Sequence, residues 1–368
     1  MKILQISYSL TSGGGERFVV DLSNELSKNN EVILLTIVDD TPAQNRHYLS
    51  DLSAKVQYLN IKAKSGLHIK SFFKVYKAIK RIKPDIVHSH CTMLQLYLPA
   101  LFLRKFCYVY TFHSLANLCL KFKAQKYIDK FFFHKKIIIP VTISRECHKS
   151  FVEIYKHSYD IEIVNGRSKL TLTDKYDEVT QEIKSYKQHD DDKIFIHIAR
   201  YHYIKNQEML FKAFDRIIKE NNNIQLLVIG NGFENAPITS NINKKHIHIL
   251  GEKRNIGDYL ASSDFFVLTS LIEGLPLSLL EAMSFGVIPI STPAGGVKDV
   301  IINGKTGFIS PSFDCEDFIQ TIKRALMDEK NINREFIKDE YETKYSMSCC
   351  AQKYQSTYHT IINKYHTK

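Results

Sequence analysis

No run in this 368-residue chain approaches the roughly 20 consecutive apolar residues that span a bilayer, which argues against an integral helical membrane protein. Cysteine is sparse. The seven residues are odd in number, scattered, and include no Cys-x-x-Cys pair. That usage excludes a disulfide framework and a zinc-ribbon pattern, and it reads as the reduced thiols of a cytosolic protein, with the adjacent Cys349 and Cys350 structural. The first residues, Met-Lys-Ile-Leu-Gln-Ile, read directly as a strand and lack a leader core and cleavage site, so a cytoplasmic location is expected. No internal repeat stands out, and no RNA- or DNA-binding motif is found, so nucleic acid is not an expected partner.

What is present is ordinary for a globular protein: 44% hydrophobic and 24% charged residues. The length exceeds what one core usually holds, so two domains are expected. The net charge of +11 is unevenly placed. Residues 1–165 carry 24 Lys and Arg against 13 Asp and Glu, whereas the remainder carries 26 against 26. The whole excess lies in the first half, which points to an anionic partner there.

The first half alternates apolar runs with amphipathic stretches. Ile3–Ser7, Val32–Ile37, Ile86–His88, Cys107–Thr111 and Ile137–Val141 read as buried strands. Gly15–Lys28, Leu67–Lys83 and Leu118–Lys135 read as helices by their three-to-four spacing. The second half repeats the scheme, with strands at Lys193–Ile198, Ile224–Ile229, His246–Ile249, Asp264–Leu268 and Val287–Ile290. Its helices are expected at Asn206–Glu220, Pro276–Phe285 and Cys315–Met327. Continuous Val- and Ile-rich strands alternating with helices imply parallel sheets covered on both faces. The fold class is therefore α/β, with two doubly wound domains expected to face each other across a cleft: 1–166 and 193–332, a polar linker at 167–192, and a helical segment at 333–368 packing back toward the first domain.

Three groups of residues point to chemistry. Glu273 and Glu281 flank a strand–loop–helix junction, with Pro276 suited to the first helical position and Gly286 to the helix end. Such a junction suits an anionic ligand, and the carboxylates suit its hydroxyls, although a surface glutamate and a solvated helix residue would read the same way. Arg200 and Lys205 follow the strand Lys193–Ile198 and lie ahead of a helix; a guanidinium and an ammonium there suit a diphosphate, and the plainer reading is two surface cations. Gly13, Gly14 and Gly15 follow the first strand and would let a ligand approach the backbone, but they do not form Gly-x-Gly-x-x-Gly and so support no dinucleotide fingerprint.

Taken together, Arg200 with Lys205, Leu227-Val-Ile-Gly-Asn-Gly232, Ile249-Leu-Gly251, Ser270 to Glu281, Pro289-Ile-Ser-Thr-Pro-Ala-Gly-Gly296 and Asn303-Gly-Lys-Thr-Gly307 resemble the nucleotide-sugar half of the retaining GT-B glycosyltransferases of family 4. Gly13–Gly15, Pro84-Asp-Ile-Val-His-Ser-His90, Thr111-Phe-His113 and Val164-Asn-Gly166 are similar to that family's first half. The resemblance covers about residues 1–310.

The resemblance implies roles residue by residue. Arg200 and Lys205 would bind the donor diphosphate and stabilise the departing nucleotide. Glu281 would accept from the ribose hydroxyls. Glu273 would hold the donor sugar, together with the backbone of Gly274, Leu275, Pro276 and Leu277 as a loop. Gly14 and Gly15 would close on the phosphates, and His113 would reach the donor sugar or the acceptor. The base would lie near Gly251 to Arg254. Counted as catalytic on this basis are His113, Glu273, Arg200 and Lys205. The co-substrate would be a nucleotide sugar, a UDP-sugar ahead of a GDP-sugar, with no cofactor and no metal. His88 and His90 find no carboxylate partner motif and are expected to line the site or to be structural.

The lysine- and aromatic-rich stretches Lys70–Lys83 and Leu120–Lys136 suit anionic lipid, or alternatively ordinary amphipathic helices. The acceptor class expected is a lipid-linked glycan in bacterial surface polysaccharide assembly, at the inner face of the cytoplasmic membrane. Two other functions fit the same pattern: an epimerase acting on the nucleotide sugar alone, and a nucleotide-sugar-binding protein without turnover.

Overall fold

The structure is a computed structural model that describes residues 1–66, 68–91, 93–234, 236–240 and 242–366. The chain divides into two compact units, Met1–Ser168 with Tyr345–Lys368, and Lys169–Lys344.

The first unit is built on seven strands: β1 Lys2–Ser7, β2 Glu31–Val38, β3 Val56–Ala63, β4 Ile86–Ser89, β5 Cys107–Phe112, β6 Ile138–Thr142 and β7 Ile161–Glu162. All pair in parallel, in the order β3-β2-β1-β4-β5-β6-β7. The second unit has β8 Lys193–Ile198, β9 Ile224–Ile229, β10 Ile247–Gly251, β11 Phe265–Leu268, β12 Ile288–Ser291 and β13 Phe308–Ile309, parallel in the order β10-β9-β8-β11-β12-β13. Strands such as β5 and β9 are buried along their whole length, as expected where helices cover both faces. Both sheets reverse their strand order once, between β1 and β4 in the first unit and between β8 and β11 in the second. Open α/β sheets bind ligands outside the carboxyl ends of strands at such a reversal.

The strands foreseen in the sequence are present to within a residue or so, and three more join them. β3 escaped notice because it is a half-exposed edge strand with polar residues at Gln57, Asn60 and Lys62; β7 and β13 have two residues each. The helix expected at Leu118–Lys135 is two, Ala116–Cys119 and Gln125–His134. The Gln125 side chain accepts from the Lys121 amide at 2.8 Å, which ends the intervening turn and starts the second helix. The helix foreseen from Leu67 begins at Ile69, and Leu67 itself lies outside the described residues. Helices Leu94–Phe102, Arg145–Tyr155 and Ile256–Ala261 were not foreseen.

The stretch 167–192, expected as a linker, holds the helix Tyr176–Tyr186. Its Val179 and Ile183 are buried, and its neighbour Thr173 donates to Asp258 through both backbone and hydroxyl, so the stretch is part of the second unit. The helical end of the chain also divides. Arg334–Glu340 stays with the second unit, whereas Met347–His366, which follows a π-helical turn at Tyr341–Tyr345, packs on the first.

In the first unit a buried ion cluster ties helix Gly14–Leu26 to the segment at Arg167. The Asp21 carboxylate accepts from Arg17 at 2.6 Å, from the Arg167 guanidinium, and from the Ser168 amide at 3.3 Å. Arg167 in turn brackets the last helix: its amide donates to Tyr345 O, and its carbonyl accepts from Met347 N. A Cβ at Gly166 would stand 2.5 Å from Cys350 Cβ, so that close passage requires glycine.

Candidate functional site

At the reversal in the second unit, the loops after β8 and β11 are stitched together. Leu271 N donates to Ile204 O at 2.7 Å and Thr269 Oγ1 to Lys205 O at 2.9 Å. The rim then continues both ways. Thr292 Oγ1 donates to Ser270 O at 2.6 Å and Gly296 N to Gly274 O at 3.0 Å, which brings in the loop after β12. Tyr201 N donates to Asn231 O at 2.8 Å and Gly230 N to Gly251 O at 2.9 Å, which brings in the ends of β9 and β10. Five strand ends therefore form one bonded edge, and it carries most of the residues singled out from the sequence.

Within that edge Lys205 and Glu273 are in direct contact, Nζ to Oε1 at 2.6 Å, with the Glu273 side chain only 10% exposed. Arg200 is exposed, and its guanidinium pairs with none of the described residues. Its backbone is held from below: Gln207 Nε2 donates to Arg200 O at 2.9 Å and lies 3.4 Å from His197 Nε2. His197, buried in β8, donates from Nδ1 to Val267 O at 2.9 Å, so its Nε2 is the acceptor for Gln207. Burial pulls its pKa down to about 4, which keeps the ring neutral and this arrangement fixed.

Helix Leu277–Ser284 follows the Glu273 loop. Pro276 does not occupy its first turn, as expected from sequence, but precedes it in an extended conformation with φ −72° and ψ 122°, one position earlier. The first-turn amides of such a helix have no partner within it and carry the positive end of its dipole. Glu281 is half-buried on the second turn, and Gly286 has the positive φ (71°) foreseen for the helix end. Gly274 is half-buried, and Leu275 and Pro276 are buried in the approach to the helix. Gly251 ends β10, and Arg254 is exposed three residues beyond it.

The first unit has a corresponding edge. Gly14 and Gly15 open helix Gly14–Leu26 directly after the β1 loop, one residue earlier than foreseen. None of Gly13, Gly14 and Gly15 has positive φ, so the backbone does not demand glycine there. What the absent side chains leave is room. Nothing lies within 4 Å of a Cβ at Gly14, and one at Gly15 would just touch His113, with Cγ at 3.8 Å. His113 follows β5, half-buried, its ring edge-on to Phe18 at 5.1 Å. Its Nε2 lies 3.0 Å from His90 Nδ1, and burial lowers its pKa to about 4. His88 and His90 are both buried. His88 is fully buried between Tyr358 OH at 2.6 Å and Thr111 Oγ1 at 2.8 Å. Among the described residues, no group of three His, Cys, Asp or Glu gathers in a way that could hold a metal ion.

Two family models together match most of the chain: "Glycosyltransferase Family 4" over residues 12–163 and "Glycosyl transferases group 1" over residues 178–343. This chain belongs to the family 4, group 1 glycosyltransferases. Its two units are the Rossmann-like domains of the GT-B fold, and it is a transferase of the EC 2.4 class. Among relatives, it is 25% identical over 357 residues to the capsular polysaccharide biosynthesis glycosyltransferase CapH of Staphylococcus aureus, covering 90% of this chain and 93% of that one. It is also 25% identical over 350 residues to a Campylobacter jejuni alpha-1,4-N-acetyl-D-galactosaminyltransferase that acts on a diphosphoundecaprenol-linked glycan, covering 92% of each. Among solved structures, Anabaena HepE in complex with UDP and glucose superposes with a TM-score of 0.77 at 16% identity, over 97% of this chain and 99% of that one.

In this glycosyltransferase the sequence did not disclose the parts that hold the carboxyl edge of the second unit together. Gly295 is one: it has φ +51°, and a Cβ there would stand 1.8 Å from Glu273 O. The Pro-Ala-Gly-Gly text was visible, but its contact with the Glu273 loop is long-range. His197 and Gln207 are others, ten residues apart and joined only in the fold.

Proposed function

We propose that this glycosyltransferase moves a sugar, with retention of configuration, from a UDP-sugar to a lipid-linked glycan in bacterial surface polysaccharide biosynthesis. The observation that carries the donor half is the bonded edge at the β8/β11 reversal, which holds the Lys205–Glu273 pair and an exposed Arg200 that pairs with no described residue. Charge builds on the diphosphate as its bond to the sugar breaks, and a cation fixed beforehand stabilises it without reorganisation. In this reading Arg200 contacts the diphosphate, and Lys205 does so from a position already set by Glu273. Glu273 is left with its second oxygen for a sugar hydroxyl, the first-turn amides of helix Leu277–Ser284 face phosphate, Glu281 accepts from the ribose, and the base lies along Gly251 to Arg254. Gly14 and Gly15 leave space for substrate, and His113 hydrogen-bonds one of its hydroxyls. These side chains supply the electrostatic stabilisation, and we propose that no divalent metal is needed. The UDP and undecaprenol-linked chemistries of the relatives named above favour this donor and acceptor class.

A thermal-shift panel of UDP-, GDP- and ADP-sugars tests the donor. The UDP-sugar should raise the melting temperature most, because a ligand that binds only the folded state stabilises in proportion to its affinity. A rise with GDP- or ADP-sugars alone would remove the UDP assignment.

We further propose that the first unit rests on an anionic membrane surface. Among the described residues no helix is long and apolar enough to cross a membrane. The unit does expose apolar side chains beside its lysines: Ile69 and Phe73 on one helix, Phe102 on the next, Tyr127 and Phe131 on helix Gln125–His134. Close to the ends of the last two lies a cavity of about 860 Å³ whose charged lining residues, Arg104, Lys135, Lys136 and Lys364, are all cationic. Replacing Lys121, Lys123, Lys126 and Lys130 by glutamine should weaken binding to anionic liposomes at low salt, and undiminished binding would sink the proposal.

A further inference from the structure

We propose that Gln5 and His90 are positioning residues that set the tautomer of His113, so that its outward nitrogen, Nδ1, is a hydrogen-bond acceptor. The inference follows a chain of contacts inside the first unit. Gln5 lies in β1, His90 just beyond β4 and His113 just beyond β5, and Gln5 and His90 are buried. Gln5 Oε1 lies 2.6 Å from His90 Nε2. An amide oxygen only accepts, so His90 Nε2 carries the proton. A neutral imidazole has one N–H, which leaves His90 Nδ1 with a lone pair. His113 Nε2 stands 3.0 Å from that lone pair and must be the donor. His113 Nδ1, which makes no hydrogen bond to any described residue, is then the acceptor.

Neutrality of both rings is what gives the chain its direction, and the surroundings enforce it. Burial lowers the pKa of His90 well below the ordinary histidine value, with the neighbouring His88 and His113 adding to the effect, and it lowers that of His113 to about 4. The rings are also clamped in orientation: His88 and His90 have centroids 3.9 Å apart, His90 and His113 meet with centroids 5.2 Å apart and planes 30° from parallel, and Phe18 packs against both His90 and His113. Behind them, the Tyr358 hydroxyl lies against His88. That hydroxyl bonds His88 Nδ1 at 2.6 Å, and His88 Nε2 meets Thr111 Oγ1 at 2.8 Å, which is bonded in turn to Tyr354 OH at 3.0 Å. The last helix, Met347–His366, therefore supports His88 and Thr111, the neighbours of His90, through Tyr354 and Tyr358.

The consequence for recognition rests on the reading of His113 as a substrate contact. An accepting Nδ1 on a neutral ring welcomes an O–H donor such as a sugar hydroxyl. It offers nothing to a phosphate oxygen, which would need a donor. His113 is thus assigned to a hydroxyl-bearing part of the substrate and not to the diphosphate.

The test is a long-range nitrogen–proton correlation spectrum of the full chain at pH 7 with nitrogen-15 in its histidines, His113 being identified by the signals lost in His113→Gln. The expected pattern is a protonated Nε2 and an unprotonated Nδ1 for both His90 and His113. The reverse pattern at His113, or an imidazolium, would overturn the proposal, as would a pattern in Gln5→Leu identical to wild type. Gln5→Glu, which keeps the accepting oxygen, should retain the wild-type tautomer at His113, whereas Gln5→Leu should give a mixture. Should Gln5→Leu fail to fold, the wild-type spectrum decides alone. Titrating UDP-glucose into the same sample separates the two readings. An unmoved His113 with the expected tautomer would refute its role as a substrate contact and leave the relay standing.

Discussion

Arg200 and Lys205 leave the same strand end yet meet different surroundings. Lys205 is paired with a nearly buried carboxylate, and Arg200 is exposed with no partner among the described residues. The pair fixes Lys205 before any ligand arrives, whereas Arg200 can commit fully to one. Arg200→Ala should therefore depress turnover and weaken nucleotide binding without a large loss of stability, since no partner is left behind. In the proposed reading Glu281 acts by a different contact. Losing a carboxylate that accepts from ribose hydroxyls should cost roughly 1.5–3 kcal/mol of nucleotide affinity. Both residues were legible in the sequence, because strand–loop–helix junctions place polar residues at strand ends wherever the pattern recurs. The contact between Lys205 and Glu273 was not legible, since 68 residues separate them and only the β8–β11 pairing brings their loops together.

Elements are joined by a few buried polar contacts whose loss should be felt throughout a unit. Asp21 is the clearest. Helix Gly14–Leu26 presents it to Arg17 on the same helix and to Arg167 at the end of the first stretch of chain, and the Arg167 side chain is 5% exposed. Asp21→Asn keeps the shape but removes the buried negative charge that Arg17 and Arg167 share, and losing such charge-assisted bonds costs about 1.5–3 kcal/mol. A lower urea midpoint with unchanged slope is expected, and a midpoint equal to wild type would show that the cluster does not stabilise the unit. The sequence showed the helix but not this link, because a buried Asp and a buried Arg look like surface charges until the fold excludes water from them. It also read the helix Leu118–Lys135 as continuous, since periodicity registers apolar spacing and not the Gln125 side chain that starts a new helix within it. The polar stretch 167–192 was taken for a linker on composition, yet Val179 and Ile183 alone give helix Tyr176–Tyr186 a buried face.

Over the whole molecule, alternating apolar runs and helices were enough to give two parallel sheets, because such strands are stable only with both faces covered. Short edge strands such as β7 and β13 carry too few residues to register. The buried His88, His90 and His197 and the half-buried His113 have pKa values held below the ordinary histidine value by desolvation. The unfolded chain, with ordinary histidines, binds more protons than the native one as pH falls below about 6.5, so these groups contribute stability above that pH and lose it toward pH 4. The melting temperature should fall between pH 7 and pH 5, and replacing His197 by Gln should reduce the fall. A flat profile would contradict the neutral burial of these rings. The central claim is that the carboxyl edge of the second unit grips a uridine diphosphate through Arg200 and Glu281. Calorimetric titration of UDP into wild type, Arg200→Ala and Glu281→Ala tests it most directly. Saturable binding to wild type, weakened about ten- to a hundredfold in Glu281→Ala and clearly weakened in Arg200→Ala, is the predicted result; equal UDP affinity in all three proteins, or none in wild type, would contradict it.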